Sequence, residues 1–175
     1  MIDREICKKQ LETFKIYADK YNVTFFLVYG TCLGAIRENN FIEDDSDIDI
    51  GVYGNDKNLL LLLINLQKDF DCQLYEHKDK LMKMNIRMKW TIDLNMFHKI
   101  NGKWYYLKKY EPNKDRFLAK EFEDKYFDSL WEIDFLGNKY KVPAFTKEYL
   151  EYLYGEWRIK KPAGTSNLRP LVEIK

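Results

Sequence analysis

The sequence is poor in the residues that build disulfide frameworks and zinc sites. Its 175 residues include only 3 cysteines and 2 histidines. The cysteines, Cys7, Cys32 and Cys72, are far apart and lack a C-x-x-C spacing, so they predict neither disulfide bonds nor a zinc site. His77 and His98 complete no familiar zinc spacing with them. We therefore expect ordinary buried thiols and a core that folds without covalent or metal cross-links.

Long hydrophobic runs are also missing. The most apolar segment, from Leu59 to Leu66, is too short to span a bilayer and is interrupted by Asn65. The first residues are not followed by the apolar stretch of a signal peptide. The sequence thus predicts a cytoplasmic protein without a transmembrane segment, and it leaves peripheral association with a membrane surface open.

Neither sign of charge is in excess. The chain has 29 Lys and Arg against 28 Asp and Glu, for a formal net charge of +1. A nucleic-acid partner requires a basic surplus on one face, so we predict no nucleic-acid binding. Because 46% of the residues are apolar, a chain of this length can bury one sizeable core. We expect a single domain over residues 1–175.

The spacing of apolar residues predicts helices and strands in mixed order. Helices are predicted at 3–21, 33–37, 57–70 and 146–154, and strands at 23–29, 46–52, 72–76, 83–90, 91–97, 104–107, 131–135 and 139–142. This pattern indicates an α+β fold, with a mixed β-sheet flanked by helices.

Local signals place several turns and helix ends. Gly137-Asn138 predicts a hairpin turn between the last two strands. Thr146 is the predicted N-cap of the last helix, and Gly155 its C-terminal stop. The tail from Lys160, which contains Pro162 and Pro170, is predicted to be extended.

The acidic segment at 43–49 is the strongest candidate for chemistry. Asp47 and Asp49 are two residues apart on a predicted strand, so their carboxylates project from one face about 7 Å apart. The flanking residues are acidic too, so no lysine offsets the repulsion. A divalent cation such as Mg²⁺, with Mn²⁺ as an alternative, resolves it with hard oxygen ligands. Asp93, on a second apolar strand, is a candidate third ligand or a general base.

A second candidate element lies upstream of the acidic strand. Gly30-Thr31 stands between a predicted strand and a predicted helix, where backbone N–H groups bind phosphate readily. Most Gly-Thr turns only reverse the chain, and an acidic loop is more often solvated surface. The combination favours a site, because it places an anion-binding turn beside a cation-binding strand. Transfer from a nucleoside diphosphate or triphosphate needs both.

The order of these motifs resembles the LicD and fukutin-related family. That family has the pattern G-T-L-L-G-x-x-R, a short spacer, and then G-F-I-P-W-D-D-D-I-D-I. This chain has YGTCLGAIR at 29–37, FI at 41–42 and DSDIDIG at 45–51, and the family's closing Tyr-Gly-x-Trp is matched at 154–157. The resemblance extends over most of the chain, from about Phe26 to Pro162.

The resemblance implies a nucleotidyltransferase-like fold and a Mg²⁺-dependent transfer. The family moves phosphocholine or a polyol phosphate from a CDP-linked donor to a hydroxyl of a cell-surface glycan or glycolipid. It implies metal or catalytic roles for Asp47, Asp49 and Asp93. It implies substrate-binding roles for five other residues: Gly30, Thr31, Arg37, Asp45 and Trp157. Arg37 can alternatively pair with the acidic loop.

Departures from the family pattern leave the substrate open. Asn40 replaces a glycine, Asp44 a tryptophan, and Ser46 the middle aspartate of the acidic run. Two alternatives therefore stand beside the transfer of a phosphorylated group. One is nucleotidyl transfer from CTP or ATP to a small molecule or protein, and the other is a catalytically silent scaffold of the same fold.

Overall fold

The computed structural model describes residues 3–160 and 170–174. The elements follow in the order α1 (Arg4–Lys20), β1 (Phe25–Leu27), α2 (Tyr29–Glu38), β2 (Asp47–Tyr53), α3 (Leu59–Asp69), β3 (Asp71–His77), β4 (Lys80–Arg87), β5 (Thr91–Ile100), β6 (Lys103–Glu111), β7 (Arg116–Phe122), α4 (Asp124–Phe127), β8 (Leu130–Phe135), β9 (Asn138–Pro143), α5 (Thr146–Tyr154) and β10 (Val172–Ile174). The predicted α+β fold class, with a mixed sheet flanked by helices, is confirmed. Among the helices described, none is both long and apolar enough to cross a membrane.

The main sheet has eight strands and branches at β5. Its path is β1-β2-β5-β6-β7-β10, and β4 pairs with β5 while β3 pairs with β4. The contact between β2 and β5 is parallel, whereas the other pairings of this sheet are antiparallel. The parallel pairing sets Asp49 directly opposite Asp93.

Alternation along β2 and β5 divides the sheet into two faces. One face carries Ile48, Ile50 and Leu94, which are fully buried. Helix α1 covers this face, where Phe14 lies edge-on to Phe25 with ring centroids 5.2 Å apart. Helix α3 is joined to α1 by the Tyr17 hydroxyl, which donates to Asp69.

The opposite face carries the acidic side chains at one end and aromatic side chains at the other. Phe97 lies 4.6 Å from Phe127 of α4, and Phe127 lies 5.9 Å from Tyr149 of α5, centroid to centroid. The Tyr149 hydroxyl accepts a hydrogen bond from the Tyr29 N–H at 3.3 Å, which ties α5 to the start of α2. This aromatic layer therefore lies next to the acidic cluster on the same face of the sheet.

Several predicted boundaries are wrong in an informative way. The strand predicted at 23–29 ends at Leu27, and the helix predicted at 33–37 begins at Tyr29. Tyr29 has a positive φ of 43°, which turns the chain abruptly from strand to helix. Gly30 and Thr31 therefore lie in the first helical turn instead of a turn before it.

Other differences concern turns and strands. The hairpin turn consists of Leu136 and Gly137, both at positive φ, because Phe135 pairs with Asn138. The cap of α5 is Phe145 at a left-handed conformation, while the Thr146 hydroxyl donates to the Pro143 carbonyl. The strand predicted at 83–90 spans Lys80–Arg87.

Three elements were missing from the sequence prediction: β7, α4 and β10. The extended tail predicted from Lys160 lies mostly outside the described residues.

Candidate functional site

Three carboxylates meet where β2 begins. Asp45, Asp47 and Asp49 each place one carboxylate oxygen within 4.8 Å of the others. Asp47 and Asp49 share a strand face by alternation, and Asp45 comes from the loop just before the strand. The structure thus groups Asp45, which the resemblance placed with substrate binding, with the two strand aspartates. Such a set of hard oxygen donors suits a divalent cation.

The electrostatics of this cluster favour a cation. Burial, followed by the charges of Asp45 and Asp93, raises the pKa of Asp47 to about 6. Burial and the charge of Asp47 raise the pKa of Asp49 well above its usual value. Burial also raises the pKa of Asp45. Each carboxylate is harder to ionise than an isolated one, and a divalent cation would remove that cost.

The first turn of α2 closes over the cluster. The Gly30 N–H donates to Asp49 Oδ2 at 3.0 Å. A Cβ atom on residue 30 would lie 2.4 Å from Asp45 Oδ2, so only glycine lets the helix start approach the carboxylates this closely. The positive end of the helix dipole therefore faces the negative cluster.

Thr31 is buried and bonds to strand β2 instead of facing the surface. Its side chain is 1% exposed, and its hydroxyl oxygen accepts the Asp49 N–H at 2.8 Å. The hydroxyl satisfies a backbone donor where β2 enters the sheet. The structure gives Thr31 a positioning contact, whereas the resemblance placed it on a diphosphate.

Asp93 lies on β5, beside the cluster and outside the group of three. Its carboxylate accepts hydrogen bonds from the side-chain amide of Asn85 and from Lys83 Nζ, the latter at 3.5 Å. Both partners stand on β4, and Asn85 is opposite Asp93 in the register. The strand of Asp93 pairs in parallel with the strand of Asp47 and Asp49, which brings its carboxylate beside theirs. Sequence reasoning missed Lys83 and Asn85, because nothing in their local pattern indicates that β4 flanks β5.

Arg37 and Trp157 come together at the last turn of α2. The Arg37 guanidinium donates to Glu38 Oε1 and, at 3.3 Å, to the backbone carbonyl of Trp157. The Trp157 ring is only 5% exposed, and the Arg158 guanidinium lies 4.4 Å from its centroid. Arg37 is thus paired with its neighbour in sequence, and not with the acidic loop that was its predicted alternative partner.

Tyrosines line the space next to the carboxylates. Burial and the nearby charge of Asp49 raise the pKa of Tyr154. Burial and the charges of Asp93 and Asp49 raise the pKa of Tyr106. These phenols stay protonated at neutral pH and can donate hydrogen bonds beside the cluster. They come from α5 and β6, far from the acidic segment in sequence. Tyr154 begins the closing Tyr-Gly-x-Trp motif, whereas no local motif indicated Tyr106.

Comparison with known proteins is consistent with this geometry. The family described as LicD/FKTN/FKRP, nucleotidyltransferase domain, matches residues 22–144. A relative named ribitol-5-phosphate transferase FKTN, from Macaca fascicularis, is 27% identical over 169 residues, covering 91% of this chain and 34% of the relative. The protein of the same name from Homo sapiens is 26% identical over 166 residues, covering 89% of this chain and 34% of its own length. The chain therefore spans about a third of the length of these curated relatives.

A solved structure shares the fold. The lincosamide antibiotic adenylyltransferase LnuA, bound to lincomycin, has a TM-score of 0.55 and 13% sequence identity, with 86% of this chain and 90% of that chain covered. At this identity the likeness concerns the fold alone, which is that of a nucleotidyltransferase.

Proposed function

The chain belongs to the LicD/FKTN/FKRP family of nucleotidyltransferase domains, and we propose that it transfers a phosphorylated alcohol from a CDP-linked donor to a hydroxyl of a glycan. The transferred group is a polyol phosphate such as ribitol phosphate, or phosphocholine. The observation that carries the proposal is the cluster of Asp45, Asp47 and Asp49 under the first turn of α2. It combines a set of oxygen ligands for a divalent cation with the positive end of a helix dipole, which favours anionic groups nearby.

The donor set fits Mg²⁺. Asp47 and Asp49 would hold the ion and Asp45 would complete the set, since all three supply carboxylate oxygens within one small volume. Bound there, Mg²⁺ would stabilise negative charge on phosphate oxygens during transfer. Mn²⁺ has the same preference for oxygen ligands and is the alternative ion.

The residues of the chain have separable roles in this proposal. The acceptor hydroxyl attacks the phosphorus that bears the alcohol, and its oxygen forms a new P–O bond. The bond from that phosphorus to the bridging oxygen of the diphosphate breaks, and CMP leaves with the bridging oxygen. Asp93 takes the proton of the hydroxyl, while Lys83 and Asn85 hold its carboxylate in place. A direct metal contact by Asp93 is the other role that the family resemblance implies for it.

Thermal melting with a panel of nucleotides tests the donor. The panel contains CDP-ribitol, CDP-glycerol, CDP-choline, CMP, CTP and ATP, each with and without Mg²⁺. A ligand at a hundred times its dissociation constant adds about 2.7 kcal/mol of stability, which raises the melting temperature clearly. We expect a Mg²⁺-dependent shift with one CDP conjugate, lost in Asp49→Asn and retained in Asp44→Asn. Asp44 is a matched control because it is exposed in the same acidic loop.

The products then test the reaction. Incubation of the shifting donor with a glycan acceptor should release CMP. Release of pyrophosphate from CTP or ATP would instead establish nucleotidyl transfer. No shift with any nucleotide would favour the silent scaffold. Asp93→Asn separates the two roles of Asp93. If Asp93 accepts the proton, the variant should lose turnover and keep its Mg²⁺ affinity. If Asp93 is a metal ligand, the variant should lose both.

A further inference from the structure

Lys120 places an ammonium beside the site without a carboxylate partner. It stands on β7 opposite Tyr106, and Tyr106 stands opposite Phe97 on β5. Facing residues of paired strands share a face, so Lys120 lies on the same face of the sheet as Asp93. Its Nζ is 5.0 Å from the centroid of the Tyr29 ring, directly before Gly30. Within residues 3–160 and 170–174, no carboxylate oxygen comes within ion-pair distance of this Nζ.

The half-buried position of Lys120 is unfavourable for an isolated cation. Burial, followed by the charge of Lys108, lowers the pKa of Lys120, and only the more distant charge of Asp49 opposes them. A partly desolvated amine without a counter-ion is unfavourable, and the contact with the Tyr29 ring offsets only part of that cost. An anionic ligand in this space would provide that compensation.

Lys108 adds a second positive charge next to the first. The register between β6 and β7 shifts between Leu107 and Lys109, so Lys108 is the extra residue of a β-bulge. Bulges redirect a side chain and are frequent next to active sites. Here the bulge brings Lys108 near enough for its charge to act on Lys120. Lys108 thus adds a second positive charge, on an exposed side chain, to the surroundings of Lys120.

Tyr29 supplies an unused donor in the same place. Its hydroxyl is buried, and the described residues provide no hydrogen-bond partner for it. Burial raises the pKa of Tyr29, so the hydroxyl keeps its proton. A buried hydroxyl without a partner costs free energy unless a ligand or water bonds to it.

The cation predicted for phosphate from the sequence is already engaged. Arg37 is bonded to Glu38 and to the Trp157 carbonyl, and Lys160 Nζ lies 3.5 Å from the same Glu38 oxygen. Lys83 forms an ion pair with Asp93. Unlike Arg37 and Lys83, neither Lys120 nor Lys108 forms an ion pair with a carboxylate of the described residues, so both are available to a ligand.

We propose that Lys120 and Lys108, with the Tyr29 hydroxyl, form an anion subsite that binds the phosphate groups of the donor opposite the carboxylate cluster. The inference rests on the proposed function for the identity of the donor. The subsite itself is defined by its chemistry, because ammonium groups and a phenol hydroxyl beside the carboxylate cluster favour a diphosphate. It deepens the proposed reaction by naming the cations of the chain that neutralise the leaving phosphate.

Binding of inorganic pyrophosphate tests the subsite independently of the donor. The affinity is measured by isothermal titration calorimetry in the presence of Mg²⁺. Lys120→Met keeps the apolar stem of the side chain and removes its charge, so the fold should be retained. We expect it to weaken pyrophosphate binding about tenfold or more, because it removes a charge-assisted contact. Lys108→Met should weaken binding less, and Lys120→Arg should keep most of the affinity.

Lys141→Met is the matched control, since it removes one positive charge from an exposed position on strand β9 of the separate two-stranded sheet. Its affinity for pyrophosphate should equal that of the wild type. Equal affinity of Lys120→Met and the wild type, with an unchanged melting temperature, would overturn the inference. Absence of pyrophosphate binding by the wild type would overturn it as well. Pyrophosphate binding that depends on Lys120, in a protein that turns over no CDP conjugate, would retain the subsite and reject the proposed function.

Discussion

At the scale of single residues, the site is governed by carboxylates that are expensive to ionise together. Asp45, Asp47 and Asp49 all have raised pKa values, and burial is the first cause in each case. Their raised pKa values mean that the metal-free protein holds protons which the unfolded chain has already lost. The site therefore trades stability of the free protein for affinity toward a cation.

Asp47 gives this trade a pH dependence. Its folded pKa of about 6 lies above the unfolded value of about 3.9. Stability is fully present below about pH 4, and it falls as the pH rises through the window up to about 6. In EDTA, we expect Asp47→Asn to be more stable than the wild type at pH 7.5 by on the order of 1 kcal/mol after allowance for solvent screening. The two should converge near pH 4.

Urea denaturation at pH 4.5, 5.5, 6.5 and 7.5 measures this difference. Asp44→Asn, in the exposed part of the same loop, serves as the control and should follow the wild type. Parallel stability curves for the wild type and Asp47→Asn would show that Asp47 ionises normally in the folded protein.

At the scale of elements, the site depends on how closely α2 approaches β2. Two hydrogen bonds hold them together. The Gly30 N–H donates to the Asp49 carboxylate, and the Asp49 N–H donates to the Thr31 hydroxyl. A Cβ atom at residue 30 would displace the Asp45 carboxylate, which lies next to both contacts. The helix start is thus fixed to the strand that carries the carboxylates, which orients them before any ligand arrives.

Gly30→Ala tests this approach. The added Cβ would meet Asp45 Oδ2 at 2.4 Å, and that atom is the free end of a side chain that can rotate away. We expect the free energy of unfolding to change by less than about 1 kcal/mol, since alanine also favours the helix. Mg²⁺ affinity, measured by calorimetry, should fall about tenfold because the carboxylate is displaced.

Gly34→Ala in the same helix is the contrasting variant. Its Cβ would meet the backbone carbonyl of Asn40 at 2.5 Å, which cannot rotate away. This variant should lose stability and, where it still folds, keep its Mg²⁺ affinity. Unchanged Mg²⁺ binding in Gly30→Ala would show that the close approach is irrelevant to the ion.

At the scale of the whole molecule, β10 completes the sheet at the edge formed by β7. Val172 pairs with Ala119 and Ile174 with Phe117, and both side chains pack on a small apolar cluster around Met82. Because β7 also carries Lys120, this edge supports the anion subsite inferred above. An open β7 edge would present unpaired backbone groups to other chains.

Deletion of residues 170–175 should therefore lower the melting temperature and promote self-association. Loss of two partly buried aliphatic contacts costs about 1–2 kcal/mol, at roughly 2–4 °C per kcal/mol for a chain of this size. Calorimetry and light scattering measure the two effects. Leu171→Ser, which changes an exposed residue outside the strand, should have neither. A deleted protein that melts like the wild type would show that β10 adds nothing to the sheet.

Much of the fold could be predicted because its signals are local. The alternation of Asp47, Ile48, Asp49 and Ile50 gave a strand with one acidic face, and the periodicity of 3–21 gave α1. The boundary at Tyr29 could not be predicted, because a tyrosine at positive φ is set by its surroundings and not by its own preference. Strand β10 could not be predicted for a related reason, since its pairing with β7 joins segments about fifty residues apart.

The sequence by itself determined the acidic strand, the glycine before it in the chain, and the family that this order of motifs resembles. Those features are fixed by side-chain type and short spacing, which the chain carries in any conformation. Only the tertiary structure decided that Asp45 joins Asp47 and Asp49, that Arg37 pairs with Glu38, and that Lys120 faces the site. The first two depend on side-chain conformations that spacing alone does not fix. Lys120 reaches the site through the register of β5, β6 and β7, which no local pattern specifies.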